Sequence, residues 1–349
     1  LHACDMLHGS FAAVVVDPVS RTLWAIKQGS SLYIGAGADS TGGAFRVASS
    51  DLSSVLKLTR TLVPLVEGEF IEFSADHHQV YRCAPSANEP TQPQALDRKA
   101  IRSLLRTADT GLVAPYTTFM QQEIFAEEDT CRGVVRLFEG GSDLAQRVGT
   151  VLSDLGEAAT AELQCAAVAL FEATSDVSLR AELERLHLLP ASAALLQRLG
   201  PEVADLDRAD APLCSAEQGL FADLLGLASS ALQRQAVRVL DATLEFREAQ
   251  DYRAAVHALT GRCATAVRDH RRIFVLSCGT SFHAAKTAAF FYNEIAGCEI
   301  TPLLPGEFRA QASRAIRDGD VLIAVSQSGE TKDLIDVIND VIRSGKDVF

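Results

Sequence analysis

Two short turns near the end of the chain are built almost wholly from hydroxyls and small residues, Cys278-Gly279-Thr280-Ser281 and Ser326-Gln327-Ser328-Gly329-Glu330-Thr331. Each follows an apolar run and opens a segment of helical periodicity. The start of a helix leaves backbone N–H groups unpaired and carries partial positive charge, so an anion placed there meets several donors without needing a Lys or Arg. The hydroxyls of Thr280, Ser281, Ser326, Ser328 and Thr331 add donors, and Gly279 and Gly329, lacking a Cβ, let the backbone come close to a phosphate oxygen. For one such turn helix capping is the simpler account, because Ser, Thr and Gly are preferred caps. Two turns of one kind, both opening at the carboxyl edge of a parallel sheet, point instead to a cradle for a phosphate ester.

The elements that would hold these turns are legible on either side. Arg272 to Ser277 is short, apolar and β-branched, which predicts a buried strand, and Ala284 to Ala296 has helical spacing. Val321 to Val325 predicts a second strand, and Leu334, Ile335, Val337, Ile338, Val341 and Ile342 form the apolar stripe of the helix after it. Neither turn matches the G-x-x-x-x-G-K-[ST] or G-x-G-x-x-G pattern of nucleotide loops. Hydroxyls without an obligatory cation suit a monophosphate better than a triphosphate carrying magnesium.

Phe274 to Lys286 (FVLSCGTSFHAAK) together with Ala324 to Leu334 (AVSQSGETKDL) resembles the first sugar isomerase (SIS) domain of the glutamine:fructose-6-phosphate aminotransferase family. Gly306-Glu307-Phe308-Arg309 resembles the family's Ser-Glu-Phe segment, with glycine in place of serine. The resemblance implies that the loop Cys278, Gly279, Thr280, Ser281 and the residues Ser326, Gln327, Ser328 and Thr331 hold the phosphate and hydroxyls of fructose 6-phosphate. It implies an enzyme that moves glutamine-derived ammonia onto fructose 6-phosphate to give glucosamine 6-phosphate, on the route to UDP-N-acetylglucosamine, and a homodimer formed through SIS domains.

The start of the chain resembles the same family independently. Val14 to Asp17 and Trp24 to Gln28 read as two strands joined by a turn containing Pro18, followed by the loop Gly29-Ser30-Ser31-Leu32-Tyr33-Ile34-Gly35. Asp51 opens a short helix through Leu56, and Leu65 to Glu69 turns into a further strand. The series is similar to the second half of a class II glutaminase domain, with Ser31 where the family has proline. Pro115 to Ile124 resembles the segment that leads from glutaminase to isomerase.

The expected organisation is therefore α/β: residues 1–85 as half of a glutaminase domain (α+β, antiparallel strands), 86–130 as a linker, 131–257 as a helical insertion, and 258–349 as an incomplete, parallel-sheet, flavodoxin-like three-layer SIS domain. The insertion is Ala- and Leu-rich, and Leu220, Leu224, Leu227, Ala228, Ala231 and Leu232 predict one helix with Ser215 and Gln218 as its capping box, the breaks falling at Pro190 and at Gly200-Pro201. An antiparallel bundle with short connections is expected, as a packed spacer or a partner surface.

The family's terminal cysteine nucleophile and the acid/base residues of its second SIS domain have no counterparts in this sequence. The chain is expected to be a fragment that binds the sugar phosphate, needs glutamine only as part of a complete enzyme, and has no catalytic residue of its own. Cys4, with no amine or base beside it, is not expected to be a nucleophile. A silent sugar-phosphate sensor and a truncated dimerisation scaffold are the alternatives.

Composition narrows the partners. A formal charge of −13 over 349 residues argues against a nucleic-acid surface, and no apolar run is long enough to span a membrane. Eight cysteines without C-x-x-C pairs fit neither a disulfide framework nor a zinc site, so reduced thiols in the cytoplasm are expected, with no metal and no cofactor. Cys278, at a helix start, is expected to have a lowered pKa. His77 and His78, adjacent in a strand, would point to opposite faces and cannot easily share a metal; His283 is expected to pack beside the first loop, and Asp333 to pair with Lys332 or lie in solvent.

Overall fold

The computed structural model describes residues 9, 11–39, 41–82, 93–103, 105, 111–199, 203, 220–326 and 331–345. Cys4, Ser215, Gln218, Gly200, Pro201, Gln327, Ser328, Gly329 and Glu330 lie outside the described residues. The chain divides into two compact units, Leu1–Arg253 and Ala254–Phe349.

Among the described residues the first unit has nine strands and one short helix ahead of its longer helices: β1 (Phe11–Asp17), β2 (Thr22–Gln28), β3 (Tyr33–Ala38), β4 (Ala44–Ser49), α1 (Leu52–Leu56), β5 (Thr61–Val63), β6 (Glu69–Phe73), β7 (His78–Arg82), β8 (Gln94–Leu96) and β9 (Ile101–Arg102). They form two antiparallel sheets, ordered β1-β2-β6-β7-β8 and β4-β3-β5-β9. The β1–β2 turn is held by Asp17, whose carboxylate accepts from the Val19 N–H at 2.9 Å and the Ser20 hydroxyl at 2.7 Å. In β6 alternate side chains, Glu69, Ile71 and Phe73, are buried, as the two-residue period of a half-buried strand requires. Ile71 and Phe73 pack with Ala25, Ile34, Val63 and Val80. Asp51 caps α1 by accepting from the Ser53 and Ser54 N–H groups and their hydroxyls, which holds its pKa at about 2. Gly35 lets α1 sit close on β3, since a Cβ there would come within 2.6 Å of Val55 Cγ1. Strands β8 and β9 lie inside the stretch 86–130 read as a linker, where short polar sequence gives no strand period.

Helices follow: α2 (Phe119–Glu139), α3 (Asp143–Leu155), α4 (Glu157–Glu172), α5 (Asp176–Leu188), α6 (Pro190–Leu199), a 3₁₀ turn (Ala222–Gly226) and α7 (Ala231–Arg268), which runs on into the second unit. Several of these helix starts are conventionally capped. Ser142 caps α3, Ser175 and Ser178 make a reciprocal box on α5, and Pro190 opens α6, whose Ala191 N–H donates to Glu162 at 2.8 Å. Leu163, Leu170, Leu183, Leu186, Leu195 and Leu240 form the centre of the apolar core.

The stripe from Leu220 to Leu232 is not one helix. The chain makes the 3₁₀ turn, breaks at Ala228–Ser230, and restarts at Ala231. Ser230 and Gln233 supply the cap: the Gln233 N–H donates to Ser230 Oγ at 3.2 Å, and Gln233 Oε1 accepts from the Ser229 N–H at 2.7 Å. Two adjacent serines that can bond their own backbone outcompete an apolar period across that point.

The second unit continues from the end of α7 into β10 (Ile273–Ser277), α8 (Gly279–Phe291), a π turn (Tyr292–Ala296), β11 (Ile300–Leu303), α9 (Pro305–Gln311), β12 (Val321–Val325) and α10 (Lys332–Arg343). The three strands are parallel, in the order β11-β10-β12. Every residue of β10 is buried, which is why its sequence is apolar without alternation. Phe274 and Leu276 pack on one side against Phe308 of α9 and Leu334, Val337 and Val341 of α10. Ile273 and Val275 pack on the other against Ala266 of α7 and Ala285 and Ala289 of α8. Helices thus cover both faces, giving the three layers expected. At the amino ends of the strands, buried Asp320 accepts from the Arg272 N–H at 3.0 Å, the Arg317 N–H at 2.9 Å and the Arg272 guanidinium at 2.6 Å. Among the described residues no helix is long and apolar enough to cross a membrane.

Candidate functional site

Strands β10 and β12 are neighbours and parallel, so the turns that follow them leave the same edge of the sheet. The strand β10 ends at Ser277 and Cys278 is still extended (φ −124°, ψ 157°), while Gly279 swings to φ +58° and the helix begins at once. Nothing lies within 4 Å of where a Gly279 Cβ would be, so glycine is favoured there for its left-handed backbone rather than for space. Thr280 and Ser281 therefore form the first turn of α8 instead of a loop ahead of a helix starting near Ala284. Thr280 is exposed and Ser281 half-buried, and no side chain caps this helix start. Its first N–H groups accordingly remain available at the strand edge, with no acidic residue in the turn.

The second turn is closed at its neck. Ser326 Oγ and Thr331 Oγ1 are 2.8 Å apart, and Thr331 stands at the start of α10 without capping it through its side chain. The roles expected of Gln327 and Ser328 fall outside the described residues. Asp333, exposed, is the one acidic group in the first turn of α10 among the described residues.

The Cys278 thiol is pushed up, not down: burial raises its pKa and the charge of Asp333 raises it further. The helix-start effect anticipated from the sequence is outweighed, and the group is a neutral thiol around neutral pH. The two helices cover opposite faces of the sheet, and both start at its carboxyl edge. His283 is exposed next to Phe282, and Lys286 Nζ lies 4.7 Å from the centre of the Phe282 ring.

Two features were not legible as site elements. Ser277 is fully buried at the end of β10, directly before the first turn, and its Oγ has no hydrogen-bond partner. Its sequence context marks it only as a strand residue. Glu307, in the Gly306-Glu307-Phe308 segment, accepts from the Leu304 N–H at 3.0 Å and so caps α9, while Phe308 is buried edge-on to Phe274 at 5.5 Å. That segment anchors α9 to β10. A Cβ at Gly306 would meet nothing, so a serine would fit there as well. Among the described residues no group of three or more His, Cys, Asp or Glu side chains is placed to hold a metal ion.

Residues 266–348 match the family model of the SIS domain. The chain is similar to glutamine–fructose-6-phosphate aminotransferases (isomerizing): 37% identical over 67 residues to that of Aquifex aeolicus, 33% over 102 residues to that of Thermotoga maritima, and 31% over 172 residues to that of Xanthomonas campestris. These matches cover 19%, 26% and 47% of this chain, and 11%, 17% and 28% of the respective relatives. The chain thus carries a SIS domain and resembles the aminotransferases, while spanning less than a third of the length of these curated relatives.

Proposed function

We propose that the second unit binds fructose 6-phosphate, and that the chain is part of a cytoplasmic enzyme transferring glutamine-derived ammonia to that sugar to form glucosamine 6-phosphate. In this reading residues 1–85 are glutaminase-like, 86–130 connect, 131–257 are an insertion, and 258–349 are a SIS domain that would pair with a second copy. The observation that carries the proposal is the pair of hydroxyl-bearing helix starts, α8 and α10, that follow adjacent parallel strands at one edge of the sheet.

The physical role of each group follows from its position. The uncapped N–H groups at the start of α8 and the hydroxyls of Thr280 and Ser281 donate to phosphate oxygens. Hydrogen bonds to a charged group are worth about 1.5–3 kcal/mol each, against about 0.5–1.5 for neutral ones. Ser326 and Thr331 hold the neck of the second turn, and Gln327 and Ser328 are assigned to the sugar. The neutral Cys278 thiol adds no negative charge against the phosphate. Asp333 is a local repulsion in the first turn of α10, where a carboxylate also stabilises the helix start.

Isothermal titration of this chain with fructose 6-phosphate, inorganic phosphate and fructose tests the reading. Fructose 6-phosphate should bind measurably, phosphate more weakly and fructose hardly at all. Equal affinity for phosphorylated and free sugar would reject the cradle.

A further inference from the structure

The interface between β10 and α8 ends in two serines, one from each element. Ile273 and Val275 of β10 lie on the side of the sheet that packs against Ala285 and Ala289 of α8. A strand turns alternate residues to one side and a helix turns residues four apart to one face, so each stripe has one more member toward the carboxyl edge of the sheet. On the strand that member is Ser277, and on the helix it is Ser281. The apolar contact thus gives way, under the first turn of α8, to a hydroxyl from either side.

The two hydroxyls differ in what is open to them. Ser281 is half-buried and caps nothing. Ser277 is 0% exposed, and its Oγ has no hydrogen-bond partner. A buried hydroxyl left unpaired destabilises the element that carries it, and alanine at this position would avoid the cost. Nor does Ser277 reach the surface, where a ligand would meet it. The residue across the interface does, because Ser281 is half-exposed and is assigned above to a phosphate oxygen.

A hydroxyl has one proton to donate and two sites that accept. When Ser281 donates to phosphate, its oxygen keeps its lone pairs and becomes the stronger acceptor, since hydrogen bonds in a chain polarise one another. Ser277 is placed on the buried side of that oxygen, and its own proton is the one in this apolar contact with no acceptor. Rotation about χ1 between staggered positions is enough to redirect it.

We infer that Ser277 is a positioning residue for the phosphate group, acting through Ser281: Ser277 donates to Ser281 Oγ, and Ser281 donates to a phosphate oxygen. The inference rests on the phosphate-binding reading of the start of α8. Calorimetric titration with fructose 6-phosphate and with inorganic phosphate tests it on the whole chain and on its Ser277→Ala, Ser281→Ala and doubly substituted forms. Ser277→Ala should weaken both ligands by the same factor, between about twofold and tenfold, the worth of one neutral hydrogen bond. It should have no further effect once Ser281 is alanine, which a merely structural role would not produce. In thermal unfolding without ligand, Ser277→Ala should be at least as stable as the unsubstituted chain. Ser192→Ala, which removes the other fully buried hydroxyl without a partner among the described residues, should be at least as stable too and should leave binding untouched. Unchanged affinity in Ser277→Ala, an equal loss with and without Ser281, a loss confined to the sugar phosphate, or a lowered melting temperature would overturn the relay while leaving the phosphate reading intact. An unsubstituted chain that binds neither ligand would reject that reading, and the relay with it.

Discussion

The helical part of the first unit and the strand ends of the second use polar side chains in opposite ways. In the first, polar groups near the core are consumed by one another. Asp223 of the 3₁₀ turn receives both Arg60 and Arg102, joining the turn to the β5–β9 side of the sheets. Glu245 of α7 accepts the Ser142 N–H at 2.8 Å and its hydroxyl at 2.7 Å, and Asp241 accepts the Phe221 N–H at 2.8 Å. At the strand ends of the second unit, Thr280 is exposed, α8 is uncapped, and Ser277 Oγ is buried without a partner. Both regions have hydroxyl-bearing residues at helix starts, Ser142 and Ser175 in the first, Thr280 and Thr331 in the second. What separates a structural use from an available one is whether the donors have already been satisfied.

The largest test of this contrast is Asp223→Ala. It removes the carboxylate shared by two guanidiniums, one of them on Arg102, which is only 8% exposed. Breaking such a pair on one side costs about 3–5 kcal/mol because the remaining charge stays desolvated. Thermal or urea unfolding should show that loss in the first unit, while fructose 6-phosphate titration of the folded protein should be unchanged. If binding fell in step with stability, the polar network of the first unit would not be purely structural.

Asp241 gives a pH test of the same network. Burial, only partly offset by the Phe221 N–H, raises its pKa from 3.8 to about 7, with Asp223 and Glu245 adding repulsion and Arg238 opposing it. The folded state therefore holds the proton more tightly than the unfolded chain. The stability this contributes is fully present below pH ~4 and is lost as pH rises through about 7. Asp241→Asn keeps the acceptor for the Phe221 N–H and removes the titration. The variant should be the more stable protein at pH 8, by up to about 4 kcal/mol, and the two should converge toward pH 4. Parallel stability curves across that range would show that Asp241 is not buried as a neutral acid.

How much of this was legible in the sequence depends on the length of the pattern that encodes it. Val321–Val325 is found with the expected bounds because an uninterrupted apolar run leaves few alternatives, and of the stripe expected on α10 Leu334, Val337 and Val341 are buried and Ile338 half-buried, whereas Ile335 and Ile342, at the edges of the period, are exposed. The strands Gln94–Leu96 and Ile101–Arg102 were hidden because two or three residues carry no period, and their partners are supplied by β7 and β5 at a distance. At the site, the hydroxyl-rich turns were visible as composition. The helix start at Gly279 instead of near Ala284 was not, since it depends on a single left-handed glycine. Nor could the Cys278 shift be read locally: the helix start alone argues downward, and burial with Asp333 reverses it. The Ser326–Thr331 contact was equally hidden, because both residues look like independent ligands until the neck of the turn is seen.

That last contact sharpens the contrast within the site itself. Ser281 and Ser326 are both half-buried serines beside a strand end, but Ser326 is already paired with Thr331 whereas Ser281 caps nothing. Ser281→Ala should therefore leave the melting temperature nearly unchanged and weaken fructose 6-phosphate binding by at least about 1.5 kcal/mol, better than tenfold, the lower bound for a hydrogen bond to a charged phosphate. Ser326→Ala breaks a neutral contact worth about 0.5–1.5 kcal/mol that shapes the turn, so it should lower stability and affinity together, each by a smaller amount. Titration calorimetry and thermal unfolding of the two variants, made side by side, separate these outcomes. If Ser281→Ala destabilised the fold and spared binding, the hydroxyls at the start of α8 would be structural like those of the first unit, and the difference between the two regions would disappear.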